Sequence, residues 1–163
     1  MVGAPGAAQP PDPVRWSLTL EPSGTAPGGR IIARLEAAIE PGWHLYSLTT
    51  PPGPIATTVE AEESPAVALY RVYQQEPEVY FDKNFNSNVE VFGDKASIAI
   101  LIETRSDLSQ GSYPVTFRVR YQVCDDRQCL LPVRRAVSAV LKVDPALPLA
   151  AAVVPGGYRL VAP

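Results

Sequence analysis

Proline and glycine interrupt this chain along its whole length. The 163 residues include 18 prolines and 11 glycines, spread through the sequence rather than gathered in one tract. Proline lacks the amide hydrogen that a helix interior needs, and both residue types mark turns. No run long enough for a sizeable helix is left, so the sequence predicts an all-β protein. Because 46% of the residues are apolar, we expect a globular domain rather than a disordered chain.

The segments between these turns alternate apolar and polar residues with a period of two. Such alternation is typical of strands that bury one face. The clearest examples are residues 30–40 and 114–123, in which every second residue is apolar. Short strands separated by turn signals favour an antiparallel β-sandwich. The predicted strands are residues 14–20, 30–40, 43–47, 55–60, 67–75, 89–92, 96–104, 115–123 and 134–143.

Composition divides the chain into three parts. Residues 1–13 are predicted to be a disordered leader. They lack the charged and apolar regions of a signal peptide, and we expect them to be the start of a mature exported chain with an added Met. Residues 14–143 are predicted to form the domain. Residues 144–163, rich in Ala, Pro and Val without a period, are predicted to be a linker or tail.

One internal segment, residues 76–88, does not fit the strand pattern. Its Asn and Asp residues are typical of loops, yet it carries Tyr80, Phe81 and Phe85. The sequence therefore predicts a loop whose aromatic rings either pack against the domain or cover something.

The charge balance argues against nucleic acid as a partner. The formal net charge is −3 and the isoelectric point is about 5.2, and the chain has no basic run. Proteins that follow a phosphate backbone carry clustered Lys and Arg. No stretch approaches the roughly 20 apolar residues that span a bilayer.

The only two cysteines, Cys124 and Cys129, are separated by four residues where two predicted strands meet. A disulfide between them would stabilise the fold by only about 2 kcal/mol, because the ring is short. A chain of this length buries a core without one. The placement favours reversible redox chemistry. A structural disulfide and a metal site that includes His44 remain alternatives.

Charged residues directly after the first cysteine bear on its reactivity. Asp125 and Asp126 would disfavour a Cys124 thiolate, whereas Arg127 would favour it. The sequence therefore predicts a thiol that reacts slowly until a partner has docked.

Three short motifs carry a resemblance to a known family. Residues 121–124 (YQVC) and 129–132 (CLLP), preceded by residues 41–47 (PGWHLYS), resemble the N-terminal periplasmic domain of the thiol:disulfide interchange protein DsbD. The resemblance covers about residues 14–143. It implies an immunoglobulin-like antiparallel β-sandwich in the periplasm with protein-disulfide reductase activity and no cofactor or metal.

The resemblance also implies partners. The family domain receives electrons from a thioredoxin-like domain and passes them to periplasmic disulfide isomerases or cytochrome-c maturation thioredoxins. Attachment to the membrane would run only through a domain that this sequence does not contain.

The same resemblance assigns roles to residues. Cys124 and Cys129 match the redox pair, with Cys129 forming the mixed disulfides. His44 and Tyr46 match aromatic residues beside the active site. The cap loop would lie within residues 83–88, with Phe85 as the ring that shields the cysteines, although the spacer between the cysteines is shorter and the cap richer in Asn than in the best-studied member.

Two other functions stay open at this point. One is a non-catalytic immunoglobulin-like binding module with an inert disulfide. The other is a copper-handling domain that uses Cys124, Cys129 and His44.

Overall fold

Strands account for the regular structure of the protein. The structure is a computed structural model, and it describes residues 12–161. Within these residues no helix is long and apolar enough to cross a membrane. The strands are β1 (Val14–Glu21), β2 (Gly24–Thr25), β3 (Arg30–Ile39), β4 (His44–Tyr46), β5 (Thr58–Ala61), β6 (Val67–Gln75), β7 (Glu78–Asp82), β8 (Ser87–Phe92), β9 (Lys95–Thr104), β10 (Gly111–Tyr121), β11 (Val123–Cys124), β12 (Val133–Val143) and β13 (Tyr158–Leu160).

The strands form three sheets. Sheet A has the order β1-β3-β9-β6-β13, sheet B has the order β2-β12-β10-β5, and sheet C has the order β11-β4-β8-β7. The strand pairs are antiparallel, except that β2 runs parallel to β12. The predicted all-β class and antiparallel arrangement are therefore confirmed.

The main core lies between sheets A and B. Alternate residues of β3, β9 and β10 point into it, and Leu35, Ile100 and Phe117 are each fully buried there. Burying a side chain of this size contributes about 1.5–3 kcal/mol. The period of two in the sequence thus decides which residues fill the core.

The nine predicted strands correspond to ten observed ones, because the predicted strand 115–123 covers both β10 and the start of β11, and three short strands do not appear in the prediction. The unpredicted strands are β2, β7 and β13. The expectation of a loop over residues 76–88 is wrong, because β7 and β8 pair antiparallel across a four-residue turn at residues 83–86. The physical reason is that Val79 and Phe81 of β7 face solvent, so the strand lacks the pattern of inward apolar residues by which strands are predicted.

The predicted leader falls almost wholly on residues 1–11, which lie outside the described residues. Asp12 is described, and it is tied to the domain. Its carboxylate accepts hydrogen bonds from the Tyr121 hydroxyl at 2.8 Å and from the Arg135 guanidinium at 2.9 Å. The last residue but one of the predicted leader is therefore attached to sheet B.

The described part of the predicted tail is not a free linker. Around Ala151 the backbone pairs with Arg30, with hydrogen bonds of 2.7 and 3.0 Å. Further on, β13 adds to the edge of sheet A beside β6. A segment with no apolar period can still pair through its backbone, which composition does not reveal. The boundaries of the domain stay a prediction.

Arg159 on β13 joins the tail to sheet C. Its guanidinium donates to Glu76 at 3.0 Å, to Glu90 at 3.3 Å and to the Thr49 hydroxyl at 3.0 Å. Glu76 directly precedes the hairpin formed by β7 and β8. The last strand therefore helps to fix the base of that hairpin.

We expect Arg159→Ala to lower the free energy of unfolding by about 1 kcal/mol, the upper end for a partly exposed ion pair, because three acceptors lose one donor. Urea unfolding measures the change. Arg15→Ala is the matched control, since Arg15 is exposed on β1 of the same sheet and makes no ion pair among the described residues. Equal effects of the two variants would contradict a structural role for Arg159.

Candidate active site around the cysteine pair

The two cysteines form a disulfide at the end of the strand that leaves the main core. Cys124 lies on β11, which continues β10 into sheet C, and Cys129 returns beside it after a turn of four residues. The Cα atoms are 4.0 Å apart. Cys124 is 1% exposed, whereas Cys129 is half-buried. Of the two cysteines, Cys129 is therefore the more exposed to solvent.

The turn between the cysteines is closed by Asp125. Its carboxylate accepts hydrogen bonds from the backbone N–H groups of Arg127 at 2.8 Å and Gln128 at 2.7 Å. These two bonds hold the pKa of Asp125 below its usual value. Asp and Asn commonly stabilise turns in this way. The first of the two aspartates is thus committed to the shape of the turn.

Sheet C buries residues on both of its faces. On one face Val123, Leu45 and Phe92 are neighbours across three strands, and all three belong to the main core. Successive residues of a strand point to opposite faces. Cys124 therefore points away from the main core, toward a second apolar cluster.

The second cluster surrounds the disulfide. Tyr46, Val89, Val91 and Cys124 are its buried members. Tyr80, Phe85 and Cys129 pack against them and are partly buried.

Phe85 lies at the tip of the hairpin formed by β7 and β8. Its ring meets Tyr46 edge to face, with ring centroids 6.1 Å apart. On another side it contacts the proline-rich loop at Gly53, where an added Cβ would lie 3.5 Å from the Phe85 ring. Gly53 has φ +134°, a conformation that favours glycine. Phe85 therefore packs beside the cysteine pair and outside the core of the sandwich.

Polar contacts hold the hairpin against the cysteine turn. The Tyr80 hydroxyl donates to the Asp126 carboxylate at 2.6 Å, and the Asn84 amide donates to the Asp125 carbonyl at 3.0 Å. The bond to Asp126 is the main reason why the pKa of Tyr80 rises to about 12. Both aspartates of the turn thus contact the hairpin that carries Phe85.

His44 and Tyr46 flank the pair from β4. The backbone of His44 pairs with Cys124, and its ring stacks on Tyr80 with centroids 4.4 Å apart. Tyr46 is fully buried, and its hydroxyl donates to Asp82. Burial, together with this bond, raises the pKa of Tyr46. His44 thus lies beside Cys124 on the neighbouring strand, and Tyr46 belongs to the same cluster as Cys124.

Two residues at this site, Asp82 and Asn84, are absent from the sequence prediction, and Tyr80 appears there only as an aromatic residue of a loop. Tyr80 and Asp82 alternate on β7 and face the cluster, whereas Val79 and Phe81 on the other face are 69% and 54% exposed. Strands usually turn their apolar side chains toward the core, but in this part of β7 the apolar side chains of Val79 and Phe81 face solvent. The alternation itself is the signal that could have revealed β7.

The alternative of a metal site gains no support. Among residues 12–161 no group of three or more His, Cys, Asp and Glu side chains is arranged to hold a metal ion. His44 and the two cysteines do not form such a group.

Comparison with known proteins identifies the family of the chain. The sequence profile of the family "Thiol:disulfide interchange protein DsbD, N-terminal" matches residues 18–141. The chain belongs to this family. It is thus a disulfide-exchange domain of the DsbD type, and the predicted immunoglobulin-like sandwich is confirmed.

Solved structures of similar fold include two bacterial domains. The N-terminal periplasmic domain of ScsB from Proteus mirabilis matches with a TM-score of 0.54 at 15% identity, over 83% of this chain and 47% of that one. The chain thus spans about half the length of the ScsB domain. The N-terminal domain of DsbD from Neisseria meningitidis, in its reduced form, matches with a TM-score of 0.48 at 15% identity, over 78% of this chain and 86% of that one. No curated protein sequence matches the chain.

The cysteine turn should depend on an acceptor at position 125. We expect Asp125→Ala to speed hydrogen exchange at the amides of Arg127 and Gln128, because both lose their acceptor, while Asp125→Asn keeps an oxygen there and changes exchange less. Folding lowers the pKa of Asp125. The ionised carboxylate therefore contributes its full stabilisation above the unfolded-state pKa of about 3.9, and this stabilisation is lost as the pH falls through the folded-state pKa. NMR exchange measurements on the oxidised protein test this. Equal exchange in all three proteins would contradict it.

Proposed function

We propose that this domain is a periplasmic electron carrier that passes reducing equivalents from a thioredoxin-like domain to substrate proteins through the Cys124–Cys129 disulfide. The observation that carries the proposal is a disulfide between a buried and a half-buried cysteine, in a small cluster against which an aromatic side chain from a separate hairpin packs. A purely structural bond has no need of such a cover. Both similar bacterial structures are N-terminal domains, and that of ScsB is described as periplasmic.

The exchange proceeds in two balanced halves. In the first, a thiolate of the reduced partner attacks Sγ of Cys129, which forms a mixed disulfide and releases Cys124 as a thiolate. The partner's second thiolate then attacks its own sulfur in that bond, so the partner leaves oxidised and this domain gains two electrons and, from solvent, two protons. Disulfide exchange follows this route through a mixed disulfide.

The second half repeats the chemistry with a substrate disulfide. The Cys129 thiolate attacks one sulfur of the substrate, and the other sulfur leaves as a thiolate. Cys124 then attacks Cys129, which restores the Cys124–Cys129 bond and releases the substrate as a dithiol. The substrate proteins of this exchange are periplasmic disulfide isomerases or cytochrome-c maturation thioredoxins, which present a disulfide to Cys129.

Phe85 governs access in this scheme. An attacking thiolate must approach the disulfide in line, so access matters as much as the pKa of the thiol. The Phe85 ring packs against the cluster that contains both cysteines. A docking protein can displace the hairpin tip, whereas a small thiol has no binding surface with which to do so.

The reduction potential separates this function from that of a binding module with an inert bond. A structural disulfide lies below about −300 mV, and an exchanging one lies higher. We expect the Cys124–Cys129 bond to equilibrate with a thioredoxin-like protein and to have a reduction potential above about −300 mV. A lower potential, or a bond that a reduced thioredoxin leaves intact, would refute the carrier function.

The roles of the two sulfurs can be tested by trapping. We expect Cys124→Ser to accumulate mixed disulfides with an oxidised thioredoxin-like partner, because Cys129 still attacks and Cys124 is no longer there to resolve the bond and release the reduced partner. Cys129→Ser should trap far less, since Cys124 is buried. Non-reducing gel electrophoresis with mass spectrometry measures both variants. Trapping through Cys124 alone would reverse the assignment.

The cover can be tested on one hairpin with a matched pair of variants. Phe85→Ala should speed reduction of the disulfide by a small thiol, because the sulfurs become more accessible. Phe81→Ala should leave that rate unchanged, since the Phe81 ring lies on the opposite, solvent-exposed face of β7. Stopped-flow kinetics with dithiothreitol measures both rates. If the Phe85 and Phe81 variants match the wild type, the assignment of Phe85 as a cover is refuted even if the redox function survives.

A further inference from the structure

Three arginines form a row on the outer face of sheet B. Arg120 on β10 lies directly opposite Arg134 on β12, and Arg118 lies two residues away on the same face of β10. Directly opposite residues in an antiparallel pair share a face, with side chains about 5 Å apart at Cβ. Together with Thr58 and Glu60 on β5 they line one depression of the surface. We call Arg118, Arg120 and Arg134 the arginine row.

The row is not neutralised by its neighbours. None of the three arginines makes an ion pair within residues 12–161, and Glu60, although directly opposite Arg118, makes none either. Like charges directly opposite on a sheet are destabilising. The chain nevertheless carries them together on a protein of net charge −3. Repulsion between these arginines destabilises the isolated domain, and no ion pair within it offsets that repulsion. This arrangement points to an anion outside the domain.

The arginine row is continuous with the active site. Cys124 follows Arg120 by four residues, which is at most about 13 Å of extended chain. On the other side of the turn, Arg134 follows Cys129 by five residues. Between them Leu131 is 85% exposed, so its side chain is available for an apolar contact beside the cysteine turn. The accessible cysteine, an exposed Leu and the arginine row thus follow one another in the chain.

We infer that the arginine row and Leu131 form the docking surface for a thioredoxin-like partner that carries carboxylates beside its redox cysteines. This inference rests on the proposed function and names the chemistry of the partner's surface. The guanidinium groups bind carboxylates of the partner, and Leu131 contacts apolar surface next to its active site. Complementary charge of this kind raises the rate of encounter and fixes orientation more than it adds affinity.

A protein partner fits the observations better than an anionic membrane. The row borders the cysteine turn, so whatever binds it is brought to Cys129. A lipid surface at the same place would block access to the disulfide. Binding to anionic lipid is therefore the alternative that a vesicle-binding measurement tests.

The test is the second-order rate constant for reduction of the oxidised domain by a reduced thioredoxin of net negative charge. We expect Arg120→Glu with Arg134→Glu to slow this reaction by about tenfold or more at low ionic strength, the range in which electrostatic steering acts. At about 1 M salt, where the Debye length is about 3 Å, the difference should largely disappear. Reduction by dithiothreitol should not change, because it needs no docking.

Two further variants make the result specific. Arg15→Glu with Arg71→Glu changes the charge equally on exposed positions of sheet A and should leave the rate at the wild-type value. Arg120→Gln with Arg134→Gln removes the charges without adding new ones and should show a smaller decrease. This second pair keeps the test valid if the glutamate variant does not fold.

The outcomes distinguish the docking surface from the carrier function. If thioredoxin reduces the wild type and the row variants at equal rates, the docking surface is refuted and the carrier function stands. If the sheet A control slows the reaction as much as the row variants, only net charge matters and the docking surface is again refuted. Loss of binding to vesicles of phosphatidylglycerol by the row variants, with unchanged reduction, would assign the row to lipid instead. If thioredoxin does not reduce the wild type, the carrier function and this inference both fail.

Discussion

The site depends on the register of β10. This strand pairs with β12 along its whole length and with β5 on its other side, and its buried residues, Val115, Phe117, Val119 and Tyr121, fill the main core. A slip of one residue would turn every side chain to the opposite face. Because β11 continues β10, the same slip would turn Cys124 away from the second cluster. The packing of the main core therefore also decides which way the redox cysteine points.

Sheet C divides the domain into two cores of unequal size. In the pairs Leu45–Tyr46, Val91–Phe92 and Val123–Cys124, one residue belongs to the main core and its neighbour to the second cluster. The main core contains most of the buried apolar side chains, while the second cluster has four buried members. Local opening of a small cluster costs much less than global unfolding. In the proposed exchange, the hairpin tip uncovers the disulfide while the sandwich stays folded.

The sequence predicts the sandwich well because its strands obey a simple period. The features that the sequence does not predict are those where the period of two fails, or where a residue gains its role from a partner distant in the chain. On β7 the aromatic and aliphatic residues Val79 and Phe81 face solvent, so the hairpin looks like a loop. Asp82 gains its role from Tyr46, which is 36 residues away in the chain, and no local pattern reports such a contact. The placement of Phe85 near the cysteines came from the family resemblance, since residue type alone favours a core position for phenylalanine.

The two surfaces beside Cys129 have different tasks in the proposed exchange. The hairpin is held to the cysteine turn by Phe85 and by hydrogen bonds from Tyr80 and Asn84, and these contacts must break before a thiolate can approach. The arginine row makes no such contact and is free to bind first. Binding energy from groups remote from the reacting atoms can offset the cost of a rearrangement at the reacting centre. A partner that contacts the row can therefore displace the ring, whereas a small thiol, which contacts nothing but the sulfur, must wait for the hairpin to open unaided.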